Sequence, residues 1–417
     1  MKAAIFIGRR LSLRSESGKA SSPGVITGVT GVALAIIIML LSIAVVKGFK
    51  HEITMKIAGF NAGITIYAPE NADNTTDYPG IKMTDSLSSI IESVAPEASP
   101  TLIFTEPAIF KTNTDFQGIV LKGLPPGNPW NFVNDNIIDG IAPQSDDADK
   151  NSVVISSVTA HMLGIECGDK IITHFLDDNS VRTRNLTVTG IYDSHFHDFD
   201  EIYAFTPISL LQKLNKTDSL IGTAIELNGM NLYDTPAISV ELHNRLINAT
   251  TENPSNPMIF HTESVIESNA LYFNWLDLLD TNVVVIIILM ACVAGFTLIS
   301  SLFIIILERV NTIGLLKSLG APNAMIRRIF IYMAERLVIK GMIIGNAIAL
   351  ALISTQRIWH ILPLDPDAYY LNYVPMELDW ISITAVNGAV LLISALILIL
   401  PSHMISKLSP AESLRFE

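Results

Sequence analysis

The stretch Thr281-Asn-Val-Val-Val-Ile-Ile-Ile-Leu-Met-Ala-Cys-Val-Ala-Gly-Phe-Thr-Leu-Ile-Ser-Ser-Leu-Phe-Ile-Ile-Ile-Leu307 is 27 residues without a charge, and its length decides the fold class. About 20 residues, each rising about 1.5 Å, cross a hydrocarbon core roughly 30 Å thick. Two other runs share this character, Gly24–Val46 with 23 residues and Ile381–Leu400 with 20. A fourth is less clean: the uncharged part Gly341–Gln356 has 16 residues and must extend back past Glu335, Arg336 and Lys340, giving a span over 329–354. One run near the start and three near the end enclose Lys47–Asp280. The expected class is an α+β membrane protein with four transmembrane helices, one N-terminal and three C-terminal. A large mixed α/β external domain fills the interval between the first and second.

Lys2, Arg9, Arg10, Arg14 and Lys19 precede the first run, as in a cleavable secretory signal. Its apolar part is too long for a signal core and no clean small-x-small site follows, so a retained anchor is expected. Lysine and arginine counts set the orientation. Residues 1–23 hold five Lys/Arg against one acid and Glu308–Arg328 four against one, so both belong to the cytoplasm. Lys47–Asp280 carries 13 Lys/Arg against 31 Asp/Glu, a net of −18 where the whole chain has −13, and belongs outside. Tyr272, Phe273, Trp275, Trp359, Tyr369, Tyr370, Tyr373 and Trp380 flank the outer ends of the runs, as an interfacial aromatic belt does. The expected order is a cytoplasmic segment 1–23, spans 24–46, 281–307, 329–354 and 381–400, an external domain 47–280, a cytoplasmic loop 308–328, an external loop 355–380 and a cytoplasmic tail 401–417. Both termini lie inside.

The acidic balance excludes nucleic-acid binding, because the cationic residues are explained by topology. Cys167 falls in the external domain and Cys292 inside a span, so no disulfide framework or cysteine-based zinc site is expected. Gly18-Lys19 is followed by alanine and lacks the upstream glycine of a Walker A loop, so this chain does not bind ATP through that motif. No G-x-S-x-G or H-E-x-x-H occurs. The densest polar cluster, Asp193-Ser-His195-Phe-His197-Asp198-Phe-Asp200-Glu201, has the residue types of a divalent metal site, but no third histidine is near and a polar loop leaving a strand explains it better. No catalytic residue, metal site or cofactor is expected in this chain.

Within the external domain, Ala62–Tyr67, Gly118–Leu121, Ser152–Ser156, Lys170–Phe175 and Asn185–Tyr192 read as strands bounded by Gly, Pro, Asn and Asp. Met83–Val94, Val158–Leu163, Pro207–Leu214 and Thr235–Asn248 read as helices, the last with an apolar face through Ala237, Ile238, Val240, Leu242, Leu246 and Ile247. In the spans, Gly24/Gly28 and Gly341/Gly345 have the G-x-x-x-G spacing that lets helices approach closely, as at a dimer face. Glu335 is expensive in a bilayer and is expected in a structural ion pair, at a hinge, or near the inner interface.

The loop Glu308-Arg-Val-Asn-Thr-Ile-Gly-Leu-Leu-Lys-Ser-Leu-Gly-Ala-Pro-Asn-Ala-Met-Ile-Arg-Arg328 has Val310, Ile313, Leu316 and Leu319 on one helical face, Gly320 suited to a left-handed C-cap and Pro322 suited to start the next helix. Periodicity alone is equally satisfied by a bland interfacial helix. Its residues, however, resemble the E-R-x-x-x-I-G-x-x-K-x-L-G-A signature of FtsX-like ABC-transporter permeases through Glu308, Arg309, Ile313, Gly314, Lys317, Leu319, Gly320 and Ala321. Ser409-Pro410-Ala411-Glu412 through Leu414-Arg415 and Glu417 resembles the ending of that family. Arg9-Arg10-Leu11, Leu41-Ser42, Gly48-Phe49, Gly123-Leu-Pro125 and Gly190-Ile191-Tyr192 are similar to the lipoprotein-releasing LolC/LolE branch.

The resemblance implies a periplasmic domain of the MacB-like type and a non-catalytic permease in the bacterial inner membrane. It makes Glu308, Arg309, Ile313, Gly314, Leu316, Lys317, Leu319, Gly320 and Ala321 the segment that docks on a separate cytoplasmic ABC ATPase, which binds ATP and Mg. Phe6–Leu13 would lie along the inner membrane surface, and a second permease copy or paralogue would complete the complex. For the lipoprotein branch it implies acyl chains entering between the first two spans, along faces that include Ile36, Leu40, Val284 and Ile288, and delivery to a periplasmic carrier. Withdrawing three acyl chains of roughly 15 methylenes, at about 0.8 kcal/mol each, demands on the order of 30 kcal/mol, which requires coupling to ATP. Members that recruit the carrier have a long proline-containing hook where this chain has the short, proline-free His174–Arg184. MacB-like export of another substrate and FtsX-like signalling to a cell-wall hydrolase are the alternatives.

Overall fold

The computed structural model describes residues 23–67, 80–143, 151–177, 180–252 and 260–398. The N-terminal stretch Phe6–Leu13 and the tail 401–417 lie outside the described residues. In chain order, α1 (Pro23–Phe60) is followed by β1 (Ile64–Tyr67), β2 (Ile81–Lys82), α2 (Asp85–Val94), β3 (Ser99–Lys111), β4 (Phe116–Leu124), α3 (Asn131–Asn136) and β5 (Ile137–Gly140). Next come β6 (Ser152–Ser156), α4 (Ser157–Leu163), β7 (Lys170–Asp177), β8 (Ser180–Tyr192), α5 (His197–Asp200), β9 (Tyr203–Pro207), α6 (Ile208–Leu214), β10 (Ile221–Gly222) and β11 (Ala224–Asn228). The chain then runs through α7 (Thr235–Glu252), β12 (His261–Ser264), α8 (Val265–Ser268), α9 (Ala270–Glu308), α10 (Val310–Ser318), α11 (Asn323–Trp359), α12 (Pro366–Tyr369) and α13 (Trp380–Ile397). Two compact units result. One is built from the chain up to His51, Trp275–Pro363 and the chain from Tyr373, the other from Glu52–Asn274 with Leu364–Asn372.

Among the described residues, four helices are long and apolar enough to cross a membrane, α1, α9, α11 and α13, and they build the first unit. The first three have 38, 39 and 37 residues, well beyond the length a bilayer core requires. Their bounds therefore exceed the expected spans, and α11 starts at Asn323 rather than at residue 329. The glycine stripes explain how the helices meet. A Cβ at Gly28 would stand 2.5 Å from Ser301 Oγ, and one at Gly31 2.6 Å from Thr297 Oγ1, so α9 seats directly on α1. Ser301 adds a 2.5 Å hydrogen bond to the Gly24 carbonyl. Cβ atoms at Gly341 and Gly345 would each lie 2.8 Å from α1, against Val32 and Ala33. Both G-x-x-x-G stripes are thus used within the chain, where the spacing alone also allowed a dimer face.

Apolar packing of Val32, Ile36, Leu40, Leu298, Val338, Met342 and Val390 fills the centre of this helical unit. Asn346 of α11 and Asn387 of α13 exchange amide hydrogen bonds of 2.7 and 3.0 Å, and each also donates to a carbonyl one turn back in its own helix. Further along α1, Lys50 bridges Asp277 and Asp280 of α9 at 3.1 and 2.6 Å, and Lys47 pairs with Asp379 at 2.7 Å. The Lys47 hydrogen bond holds the Asp379 carboxyl well below the usual carboxylate range.

The second unit contains two lobes. In one, β12-β1-β11-β3 form an antiparallel sheet, with α2 and α7 contributing Leu87, Ile91, Leu242 and Leu246 to the core over Ile64, Ile66, Ile225 and Leu227. Its β-α-β-β-α-β path in spatial order 4-1-3-2 is the ferredoxin-like arrangement. The other lobe is inserted between the second and third strands of that path. There β3 pairs β4, β4 pairs β9, β9 pairs β6, β6 pairs β8, β8 pairs β7 and β7 returns to β3. The ring closes into a small six-stranded barrel packed with Phe104, Phe110, Leu121, Val153, Ile155, Phe175, Leu186 and Val188.

Strand β3 serves both lobes, pairing β11 over Ser99–Ile103 and β7 over Ala108–Lys111. It contains Pro100 and Pro107, residues that count against a central strand in the sequence. The amide of Val120, opposite Pro107, bonds to Ile202, away from β3. Pro107 therefore turns its nitrogen to the edge that β11 and β7 leave unpaired, where the missing N–H costs no ladder bond. The expected strands at Ser152–Ser156 and over Lys170–Phe175 and Asn185–Tyr192, and the four expected helices, all form, with ends shifted by a few residues. Cys167 and Cys292 are both free.

Candidate coupling site

Helix α9 ends at Glu308, and Arg309 breaks the helical path with φ −114° and ψ 17° before α10 begins. The end of α10 is a Schellman closure. Gly320 has φ +85°, its amide donates to the Lys317 carbonyl at 3.0 Å, and the Ala321 amide donates to the Leu316 carbonyl at 3.0 Å. Gly320 is the residue that accepts this left-handed backbone without steric cost. Pro322 then caps α11, accepting from the Met325 amide at 2.8 Å. The sequence reading placed the Gly320 turn as found, while Pro322 stands just before the first turn of α11 instead of inside it.

The nine residues expected to form the coupling segment divide by burial. Ile313 and Gly314 are buried, and Leu316 and Ala321 are half-buried, against Leu302, Ile305, Ile306, Ile326, Ile329 and Phe330 of α9 and α11. Arg309 and Lys317 are half-buried, while Glu308, Leu319 and Gly320 are exposed. Leu319, expected on the same apolar face as Ile313 and Leu316, is instead 76% exposed. Leu315, one helical turn before it, is 57% exposed and was not singled out from the sequence. The i, i+4 spacing of Leu315 and Leu319 was the available signal. The apolar residues of α10 fall into two parts, an inner one fixing α10 to its neighbours and an outer leucine pair, Leu315 and Leu319, that is exposed.

Of the four intramembrane positions expected to face substrate, Ile36 and Leu40 are fully buried, with Ile36 packed beside Gly345 of α11. Val284 and Ile288 of α9 are 54% and 59% exposed. Glu335 is half-buried within continuous α11, and among the described residues it takes part in no ion pair.

The Asp193–Glu201 cluster is a folded turn between β8 and β9. Asp200 is buried, and its carboxylate accepts from Ser194 Oγ at 2.7 Å and from the Ser194 amide at 3.2 Å. Burial, helped by nearby Asp193, pushes the Asp200 carboxyl up to about 7, against the pull of the Ser194 and Phe196 hydrogen bonds. His195 Nδ1 lies 3.0 Å from Asp193 Oδ1, but among the described residues no three His, Cys, Asp or Glu side chains are placed to hold a metal ion. The stretch His174–Arg184 belongs to a plain hairpin, β7 and β8 pairing through Asp177↔Ser180 so that only positions 178–179 join them.

These features define a membrane protein with a two-lobed external α/β domain between its first and second spans and a short helix between its second and third. The sequence matches the MacB-like periplasmic core domain over residues 27–240 and the FtsX-like permease C-terminal domain over residues 284–410. The chain belongs to the FtsX-like permeases with a MacB-like periplasmic core domain. It is similar to the lipoprotein-releasing system transmembrane protein LolE of Haemophilus influenzae, 24% identical with 97% of this chain and 98% of the relative covered. It is also similar to the transmembrane protein LolC of that system in Neisseria meningitidis, 22% identical with 93% of each covered. Among solved structures, the periplasmic region of MacB from Actinobacillus actinomycetemcomitans is 13% identical, covering 52% of this chain and 96% of that one at a TM-score of 0.34.

Proposed function

We propose that this chain is the permease subunit of an ATP-driven ABC transporter of the bacterial inner membrane that releases lipoproteins toward the periplasm by mechanotransmission. The observation that carries the reading is the end-to-end similarity to lipoprotein-releasing permeases, which covers 97% of this chain and nearly all of the relative. In this reading both termini are cytoplasmic, a separate ATPase binds ATP and Mg, and two permease chains form the complex. Leu315 and Leu319 of α10 supply the apolar contact to the ATPase, and Glu308, Arg309 and Lys317 frame it with charge. The inner face, Ile313, Gly314, Leu316 and Ala321, passes the push to α9 and α11. Acyl chains meet the exposed face of α9 at Val284 and Ile288, and reach Ile36 and Leu40 only when α1 and α11 separate. The carrier does not dock through a hook, because the β7–β8 hairpin has none.

Two measurements test this. Leu315→Asp with Leu319→Asp should abolish co-purification with the ATPase while leaving thermal unfolding of the permease unchanged; an intact complex would sink the coupling assignment. A photocrosslinker at Val284 or Ile288 should capture a lipoprotein when ATP hydrolysis is blocked. Capture of none, with the ATPase still bound, would keep the permease and transfer the reading to export of another substrate or to signalling.

A further inference from the structure

Three separate stretches of the external unit meet on the Asp193–Glu201 turn. They are the end of α1, the start of α9, and the loop Leu364–Asn372 between α11 and α13. Each leads directly along the chain into a membrane-length helix. Lys56 of α1 donates to the Ser194 carbonyl at 2.5 Å and to the Tyr370 carbonyl at 2.7 Å. Asp198 accepts from the hydroxyls of Tyr272, at 2.7 Å, and Tyr370, at 3.1 Å. The ring of Phe196 stacks on Phe199 at 4.8 Å and receives Tyr272 and Tyr370 edge-on at 5.3 and 4.6 Å.

Two features set this contact apart from ordinary packing. Tyr370 has φ +60°, a region a bulky side chain rarely enters, and it is held there from its carbonyl, its ring and its hydroxyl together. The turn that grips it is itself locked by Ser194 and Asp200, and His195 within it also has a positive φ of 56°. Burial and the Asp198 carboxylate push both tyrosine hydroxyls upward in pKa, so they remain donors throughout the neutral range.

We propose that Asp198, Lys56 and Tyr370 form a clasp that fastens the Leu364–Asn372 loop to the external domain, so that the three chain passages into the spans move as one body during the transport cycle. The clasp rests on the ATP-driven reading above for its role in the cycle, and on the geometry alone for its existence. Asp198 and Lys56 are positioning residues, acting through their hydrogen bonds to Tyr272, Tyr370 and Ser194.

Hydrogen exchange on the full chain in lipid nanodiscs separates the two layers. Asp198→Ala should speed backbone exchange at least tenfold in both 193–201 and 364–372, with β1, β11 and β12 unchanged; Tyr370→Phe should do so more weakly. Unchanged exchange in both segments would overturn the clasp. In the complex with the ATPase, trapping with ATP and vanadate should change exchange in both segments of the wild type. In Asp198→Ala, ATP should still be hydrolysed and 364–372 should respond while 193–201 falls silent. An unaltered paired response in the variant would overturn the coupling role. Failure of the wild type to bind any ATPase would instead overturn the proposed function, with the exchange result for the isolated chain still standing.

Discussion

At the residue scale, the external domain depends on charges that its sequence gave no reason to bury. Lys122 of β4 is 4% exposed, pairs with buried Glu226 of β11 at 2.6 Å, and donates to the Phe60 carbonyl at 2.7 Å. It thus joins barrel, ferredoxin-like sheet and the end of α1. Removing one partner of such a pair strands the other in a medium that solvates it poorly. Lys122→Met should cost about 3–5 kcal/mol in denaturant unfolding of the external unit, and Lys122→Met with Glu226→Leu should recover much of the loss. A single variant no worse than the double would contradict this. Asp200 carries the pH dependence. Its folded pKa of about 7 lies above its ordinary value of 3.8, so the folded state holds a proton that the unfolded state has released between those limits. Stability from this group is full below about pH 4 and declines as pH rises through about 7, at up to about 1.4 kcal/mol per pH unit. Asp200→Asn should flatten that slope between about pH 4 and 7; an unchanged slope would assign it to another group.

At the element scale, length and spacing made the helices legible and burial did not. The runs without charge announced α1, α9 and α13, and the Gly320-Ala-Pro322 punctuation announced the end of α10. The side each helix would bury was not readable, because a span surrounded by lipid is apolar all round. Hence Ile36 and Val284 look alike in sequence, yet one is enclosed and the other exposed. Polar residues in spans are the exception, and the Asn346–Asn387 exchange is their use here. Asn346→Leu alone should destabilise the helical unit in nanodiscs by about 1 kcal/mol, since Asn387 loses its partner away from water. Asn346→Leu with Asn387→Leu should lie closer to wild type, and strictly additive losses would show that the pair does not couple.

At the scale of the whole molecule, the one-plus-three order of spans was plain from the chain, while the inner architecture of the external unit was not. Its two lobes share β3, whose prolines masked it, and the barrel closes through pairs such as β4 with β9 that are about eighty residues apart and leave no local pattern. Net charge, by contrast, is a property of whole segments and therefore survives such gaps in reading. The short segments 1–23 and 308–328 that flank this net −18 domain's spans hold five and four Lys/Arg, which gives the chain one favourable orientation under the positive-inside rule. With Cys167 and Cys292 replaced by serine, a cysteine introduced at Val181 should react in intact cells with a membrane-impermeant maleimide, because Val181 is exposed on β8. One at Ser318, exposed at the end of α10, should react only after the membrane is opened. Labelling of Ser318→Cys in intact cells would place the coupling helix on the wrong side for any cytoplasmic ATPase. It would remove the proposed function together with the orientation.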